Sequence, residues 1–223
     1  MQKNISYPGN KGINPLLPNI INLIPPHKHY VELFLGSAGV ARHIYPSVSM
    51  VGVERSQKII ERFRNDYPAK MVVVNDCAIN WLLRNPRVRA DTFIYLDPPY
   101  LKQSRRSIAD IYDYEISIED HVRLLTLITS TTAMIMISGY ESDLYNTYLC
   151  RWNKRQFNTC VHGKRATEIV WFNYTVPTLL HQYNYYGKDK TDRQRVRRKI
   201  ERWSRRLNQL PAPERQAIML NLK

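Results

Sequence analysis

Five short apolar runs punctuated by turns constrain the fold of this chain more than any other feature of its sequence. They are Tyr30–Leu35, Ser49–Glu54, Lys70–Asn75, Thr92–Leu96 and Ala133–Ile137. Between them the patterning predicts helices over Val40–Tyr45, Gln57–Asp66, Ile79–Arg84 and Val122–Ser130. Continuous apolar runs of this length suit strands buried on both faces, and parallel strands need helical crossovers to connect them. The alternation therefore predicts an α/β domain built on a doubly wound sheet.

Beyond residue 150 the pattern changes. Arg155–Val161 and Glu168–Tyr174 read as two strands joined through His162-Gly163-Lys164-Arg165, a C-terminal β-hairpin. Lys188–Leu207 is rich in Arg and Lys, with Val196, Ile200, Trp203 and Leu207 spaced as one apolar stripe on a basic helix. Pro211-Ala212-Pro213 breaks it, and Glu214–Leu222 reads as a shorter helix. The expected organisation is a main domain over residues 1–187 and a basic helical extension over 188–223.

Charge follows that division. The chain carries 33 Lys and Arg against 19 Asp and Glu, a net charge of +14, and residues 188–223 hold 12 of those bases but only 4 of the acids. Such an excess suggests a polyanionic partner, although a basic run can equally be a solvated helix face. A hydrophobic content of 43% excludes general disorder. No apolar stretch approaches the roughly 18 residues of a membrane span, and Met1–Ser6 lacks a secretory pattern. Cys77, Cys150 and Cys160 show no C-x-x-C spacing and are assigned to packing. The expectation is a cytoplasmic protein with neither a metal site nor a membrane anchor.

Chemistry is expected at Asp97-Pro98-Pro99-Tyr100, directly after the fourth run, because open α/β sheets bind ligands beyond the carboxyl ends of their strands. Two prolines can also simply end a strand. An exocyclic amine conjugated to a purine ring is a poor nucleophile, since its lone pair is delocalised into the ring. A carboxylate and a carbonyl accepting its two N–H bonds would raise electron density on nitrogen and direct the lone pair outward. Asp97 and the Pro98 carbonyl can supply those acceptors, Pro99 stiffens the turn, and Tyr100 offers a face for an extruded base.

Phe34-Leu35-Gly36-Ser37-Ala38-Gly39 also follows a strand, and its glycines allow close backbone approach to a ligand. Glu54 ends the second run 18 residues after Gly36, where an acid can grip a pair of ribose hydroxyls; it could instead favour the start of the next helix. Asp76 ends the third run and could hold an adenine amino group or cap a helix. Near the start of the chain, Tyr7-Pro8-Gly9-Asn10-Lys11 reads by itself as a lead-in turn.

Taken together, these segments resemble the S-adenosylmethionine-dependent, adenine-specific DNA methyltransferases of the Dam type. The order is an aromatic-x-Gly-x-Lys segment, a Gly-rich turn after Phe34, acids after strands two and three, and then D-P-P-Y. Ser138–Tyr145 and Glu168–Tyr174 look like segments of compact phage and prophage members. The resemblance spans roughly residues 5–175 and implies a Rossmann-like methyltransferase fold that moves a methyl group from S-adenosylmethionine to N6 of a flipped adenine in double-stranded DNA. It implies cofactor contacts at Tyr7, Lys11, Phe34, Gly36, Glu54, Asp76 and Asp97, and a catalytic motif at Asp97, Pro98, Pro99 and Tyr100. Two features depart from the family. The second glycine of the turn stands one place later than in the strict pattern, and only 20 residues separate Asp76 from Asp97, too few for a recognition domain.

DNA contacts must then come from elsewhere. Candidates are Lys102, Arg105 and Arg106 in the loop after the motif, Lys164 and Arg165 at the hairpin tip, and the helical tail, including Arg197 and Arg198. Alternatives are the same chemistry on RNA adenine or cytosine N4, or a non-catalytic nucleic-acid-binding protein that keeps the fold.

Overall fold

The computed structural model describes residues 16–104, 114–161 and 164–222, the side chains of residues 159–166 aside. The chain divides into two compact units, Met1–His181 and Gln182–Lys223. The larger unit is a seven-stranded sheet. Its strands are β1 (His29–Leu33), β2 (Ser49–Glu54), β3 (Met71–Asn75), β4 (Thr92–Leu96), β5 (Met134–Gly139), β6 (Asn153–Val161) and β7 (Lys164–Phe172), in the order β3-β2-β1-β4-β5-β7-β6. The first five are parallel, whereas β7 runs antiparallel to both β5 and β6. This is the Rossmann-like doubly wound architecture with a C-terminal hairpin that the alternation and the resemblance implied. The order reverses between β1 and β4, the switch point at which such sheets bind ligands.

The helices of this unit are α1 (Leu17–Ile21), α2 (Gln57–Phe63), α3 (Ala78–Arg84), α4 (Ile118–Thr129) and α5 (Asp143–Tyr148). Side chains alternate across a strand, so each strand serves two layers. One layer joins Val31, Leu33, Val53, Ile94, Leu96, Ile135, Ile137, Ile169 and Trp171 to Leu82 of α3, Leu124, Leu125 and Ile128 of α4, and Tyr145 of α5 in one buried cluster. The opposite parity places Tyr30, Met50, Phe93, Tyr95, Met136, Val170 and Phe172 together, all buried. That second face also carries the polar residues Glu32, Glu54, Ser138 and Glu168, and continues beyond β4 to Asp97.

Several local expectations change. Val40–Tyr45 is only a 3-10 turn over Ala41–His43. Its leading amides are held by Glu32, to which Ala41 N donates at 2.8 Å and Val40 N at 3.5 Å. Those bonds fix the chain as it leaves the Gly-rich turn and leave only a short helical segment. Helix α1 falls in a Pro-rich stretch without a clear helical period. Helix α4 starts four residues earlier than Val122, where the Ser117 hydroxyl accepts from Asp120 N at 3.1 Å. Strand β3, read as buried on both faces, lies at the sheet edge with Val72 exposed. The hairpin strands pair through Val161 with Lys164, so Lys164 and Arg165 belong to β7 rather than to the connecting turn. Cys150, assigned to packing, is exposed, and Cys77 is half-buried.

The smaller unit contains α6 (Lys190–Asn208) and α7 (Ala212–Asn221). Asp189 caps α6 by accepting from Asp192 N at 2.8 Å. No residue of either helix is fully buried, and Ile200 and Trp203 of the apolar stripe are about half exposed. Among the described residues no helix is long and apolar enough to cross a membrane.

Candidate active site

The site begins at the turn that leaves β1. Phe34, Gly36 and Ala38 all have positive φ, at 59°, 52° and 55°. This conformation is costly for Phe and Ala and persists only where surrounding bonds enforce it. Those bonds are present. Leu35 N donates to the Val53 carbonyl at 3.0 Å and Ala38 N to the Leu35 carbonyl at 2.8 Å. Gly36 is held from both sides, its N–H by Glu54 Oε2 at 2.9 Å and its carbonyl by the Tyr67 hydroxyl at 2.9 Å. The alternation of left-handed residues explains why a turn with displaced glycines still closes. Ala38 takes a conformation usually left to glycine, and Gly36 supplies the close approach.

Glu54 is buried at the end of β2. Its Oε2 accepts from Gly36 N, and its Oε1 accepts from Ser56 N at 2.8 Å. One carboxylate thus holds both the turn and the residue that starts α2, and each of its oxygens keeps a second lone pair. Asp76 sits beside it, its backbone N–H donating to the Glu54 carbonyl at 3.0 Å. Asp76 Oδ1 accepts from Cys77 N at 2.8 Å, and Arg84 of α3 forms an ion pair with Oδ2. Asp76 thus supports the start of α3, and its side chain remains at the sheet edge next to Glu54.

Asp97-Pro98-Pro99-Tyr100 leaves the carboxyl end of β4. Pro98 is buried and the other three are half-buried. The Tyr100 hydroxyl lies 3.1 Å from Asp97 Oδ1 and 3.2 Å from Glu168 Oε2 of β7. Tyr140, just past β5, packs edge-on against the Tyr100 ring with centroids 4.7 Å apart. Behind them Tyr95 and Ser138 share a buried hydroxyl–hydroxyl bond of 2.8 Å. Burial, followed by the charge of Asp97, pushes the Tyr95 phenol well above its ordinary range, and Glu32 and Glu168 add to the effect. Tyr95 therefore stays neutral.

Two acids of this site do not stand out in the sequence as functional candidates. Glu32 is fully enclosed in β1, where Oε2 accepts from the Tyr30 hydroxyl and Ala41 N, each at 2.8 Å. Burial raises its pKa to about 7; Tyr30 and the amides of Ala41 and Val40 pull down, and Asp97 pushes up. Glu168 lies in β7 and is 2% exposed. The signal is an acid set against apolar residues, Glu32 between Val31 and Leu33 and Glu168 directly before Ile169–Phe172.

Of the remaining expected site residues, Phe34 and Gly36 lie in the turn, and Lys102 lies in a short 3-10 segment directly after the motif. Tyr7, Lys11, Arg105 and Arg106 fall outside the described residues, and Lys164 and Arg165 are described only as backbone of β7. Arg197 and Arg198 are on α6. Arg197 is paired with Glu201 at 2.9 Å, whereas Arg198 lines a basic groove with Thr191, Gln194, Arg195, Lys199 and Arg202. No group of three or more potential metal ligands occurs among the described residues.

The fold and site together define a Rossmann-like α/β protein with a cluster of acids at one edge. Glu32, Glu54, Asp76, Asp97 and Glu168 gather near the carboxyl ends of the parallel strands in a chain whose net charge is +14. No family model matches the chain, and no curated protein matches it by sequence. Similar solved structures include the M. capricolum protein TrmK with S-adenosyl-homocysteine, 9% identical over 92% of each chain with a TM-score of 0.47. Another is a precorrin-6y C5,15-methyltransferase from Geobacter metallireducens, 10% identical over 78% of this chain and 93% of that one, with a TM-score of 0.48. A third is the magnesium protoporphyrin IX methyltransferase of Synechocystis with bound S-adenosylmethionine, 10% identical over 71% and 74%, with a TM-score of 0.44. At TM-scores below 0.5, function has to be argued from this chain's own residues.

Proposed function

We propose that this chain is an S-adenosylmethionine-dependent methyltransferase acting on N6 of adenine in double-stranded DNA. The observation that carries the reading is the placement of Asp97-Pro-Pro-Tyr100 beside the strained Gly36 turn at one acidic sheet edge.

The cofactor class follows from charge. An edge lined by Glu54, Asp76 and Asp97, with Glu32 and Glu168 behind, favours a cationic ligand and disfavours the pyrophosphate of a dinucleotide. S-adenosylmethionine fits, with its sulfonium, its ammonium and an adenosine whose ribose hydroxyls can donate to Glu54. At Gly36 the turn carries no side chain that would stand between its backbone and a ligand. When bound, the cofactor would supply a methyl group activated on positively charged sulfur.

The remaining work falls to the chain. Asp97 and the Pro98 carbonyl accept the two N–H bonds of the target amine and direct its lone pair outward. As nitrogen gains the methyl group it must lose a proton, and the Asp97 carboxylate is the adjacent acceptor. Tyr100 and Tyr140 offer aromatic surface for a base drawn out of the helix, where stacking is worth about 1–3 kcal/mol per base. No cysteine needs to act as a nucleophile.

Because only α3 and β4 lie between Asp76 and Asp97, backbone affinity is assigned to Lys102, to Arg105 and Arg106, to Lys164 and Arg165 of β7, and to α6. On α6 the groove cations Arg198, Lys199 and Arg202 fit phosphates better than Arg197, which is already paired with Glu201. The decisive experiment expresses the chain in a host lacking DNA methylation and maps N6-methyladenine by sequence context. Calorimetry with S-adenosylmethionine provides the binding measurement. N6-methyladenine at a fixed context supports the proposal. N4-methylcytosine, or modified RNA alone, would reassign the substrate; no cofactor binding would leave a nucleic-acid-binding protein.

A further inference from the structure

Glu168 has no part in the chemistry just described, yet it shares the Tyr100 hydroxyl with Asp97. The two oxygen contacts are nearly equal, 3.1 Å to Asp97 Oδ1 and 3.2 Å to Glu168 Oε2, and a phenol has one proton to donate. The carboxylates differ in access. Asp97 is half-buried at the strand end, where a ligand N–H can reach it, whereas Glu168 is 2% exposed and enclosed by the sheet.

Before a substrate docks, Tyr100 occupies one oxygen of the carboxylate that the target amine needs. An incoming N–H competes with the phenol for Asp97 Oδ1, and a displaced half-buried hydroxyl without a partner would cost part of the desolvation of that group. Glu168 removes that cost. The phenol turns its proton wholly to Glu168 as the amine takes Asp97, so the number of hydrogen bonds is conserved. The edge-on packing of Tyr140 at 4.7 Å keeps the Tyr100 ring in place during this exchange.

We propose that Glu168 is a positioning residue that captures the Tyr100 hydroxyl when the target amine docks, converting Tyr100 from a cap on Asp97 into a fixed wall of the base pocket. This rests on the methyltransferase reading. No bond to carbon is made or broken in the exchange, and one proton stays on the phenol throughout.

The test is a double-mutant cycle on the full chain, using duplex DNA with the methylated context found by mapping and, separately, the same duplex with 2-aminopurine beside the target adenine. Glu168→Ala is expected to lower kcat/KM for DNA about tenfold, which corresponds to one hydrogen bond of roughly 1.4 kcal/mol. It should also reduce the 2-aminopurine fluorescence rise on binding. Glu168→Gln, which still accepts from the phenol, should recover most of the loss. In a Tyr100→Phe background Glu168→Ala should have no further effect, because no hydroxyl remains to be captured. A folded Glu168→Ala protein with wild-type transfer and fluorescence overturns the proposal, as does an equal loss with or without the Tyr100 hydroxyl. If Glu168→Ala does not fold, the same comparison with Glu168→Gln and Tyr100→Phe decides: a Gln variant as impaired as an Asp97 variant overturns it. A wild-type chain that neither binds cofactor nor methylates overturns both readings; an active wild type with a silent Glu168 overturns this one alone.

Discussion

The Gly36 amide donates to Glu54 Oε2 at 2.9 Å, joining the turn after β1 to the end of β2 across 18 residues of sequence. A single buried carboxylate thereby sets the conformation of the turn at the edge proposed to hold the cofactor. Glu54→Ala strands the amides of Gly36 and Ser56, and the expected cost in folding stability is about 1–3 kcal/mol. Thermal unfolding measures that cost. Titration calorimetry should show S-adenosylmethionine binding weakened by at least about tenfold, since the proposed ribose acceptor is removed too. Unchanged binding would remove Glu54 from the cofactor site.

Asp97→Asn keeps the shape of the motif and one acceptor oxygen but removes the charge. Methyl transfer should fall by about 10²–10³, the range for losing one preorganised electrostatic partner. The unfolding midpoint should change little by comparison, because Asp97 is only half-buried. Single-turnover transfer from labelled cofactor to DNA is the measurement, and retained activity would displace Asp97 from the chemistry.

Gly52 lies on β2 directly beneath the turn. A Cβ built there would sit 2.6 and 2.9 Å from the Leu35 methyls and 3.0 Å from the Met71 sulfur. Gly52→Ala therefore pushes on Leu35, whose backbone belongs to the strained turn. The expected result is a loss of about 1–3 kcal/mol from overpacking, together with weaker cofactor binding. Denaturant unfolding and calorimetry on the same preparation separate the two effects.

Glu32 makes folding stability depend on pH. Burial raises its pKa from 4.5 to about 7. Between those values the folded chain holds a proton that the unfolded chain has released, so the contribution falls as pH rises through that window and is flat above it. The stability of wild type minus that of Glu32→Gln should drop by up to about 3 kcal/mol from pH 4.5 to 7. Denaturant unfolding at half-unit pH intervals checks this. A difference that rises with pH would mean that Glu32 is charged and stabilised where it stands.

Arg198, Lys199 and Arg202 line one groove of α6. Replacing all three by Ala should weaken binding to DNA of any sequence. It should also reduce the slope of log affinity against log salt by roughly 0.9 for each duplex phosphate that the variant no longer neutralises. Arg197→Ala should change the slope less, because Arg197 is paired with Glu201. Fluorescence anisotropy with one oligonucleotide across a salt series distinguishes the two. An unchanged slope for the triple variant would leave α6 as a solvated surface.

The layers of the fold are legible in the order of residues alone. Apolar runs such as Thr92–Leu96 have no stable position except a sheet covered on both sides, and the turns and helices between them leave parallel crossovers as the solution. The positions of Asp97, Glu54 and Gly36 at strand ends are legible too, because that information is local: an apolar run stops, and a polar or flexible residue follows. What lay beyond it was every relationship that depends on which strands become neighbours. Val72 is exposed only because β3 falls at the edge. The helix expected after Gly39 shortened to one turn because Glu32, seven residues before it, turned its carboxylate onto the Val40 and Ala41 amides. Glu168 is 68 residues from Tyr100 and reaches it because β7 inserts antiparallel between β5 and β6. Periodicity reports which face of an element is apolar; only the packed sheet settles which buried carboxylates meet on the other face.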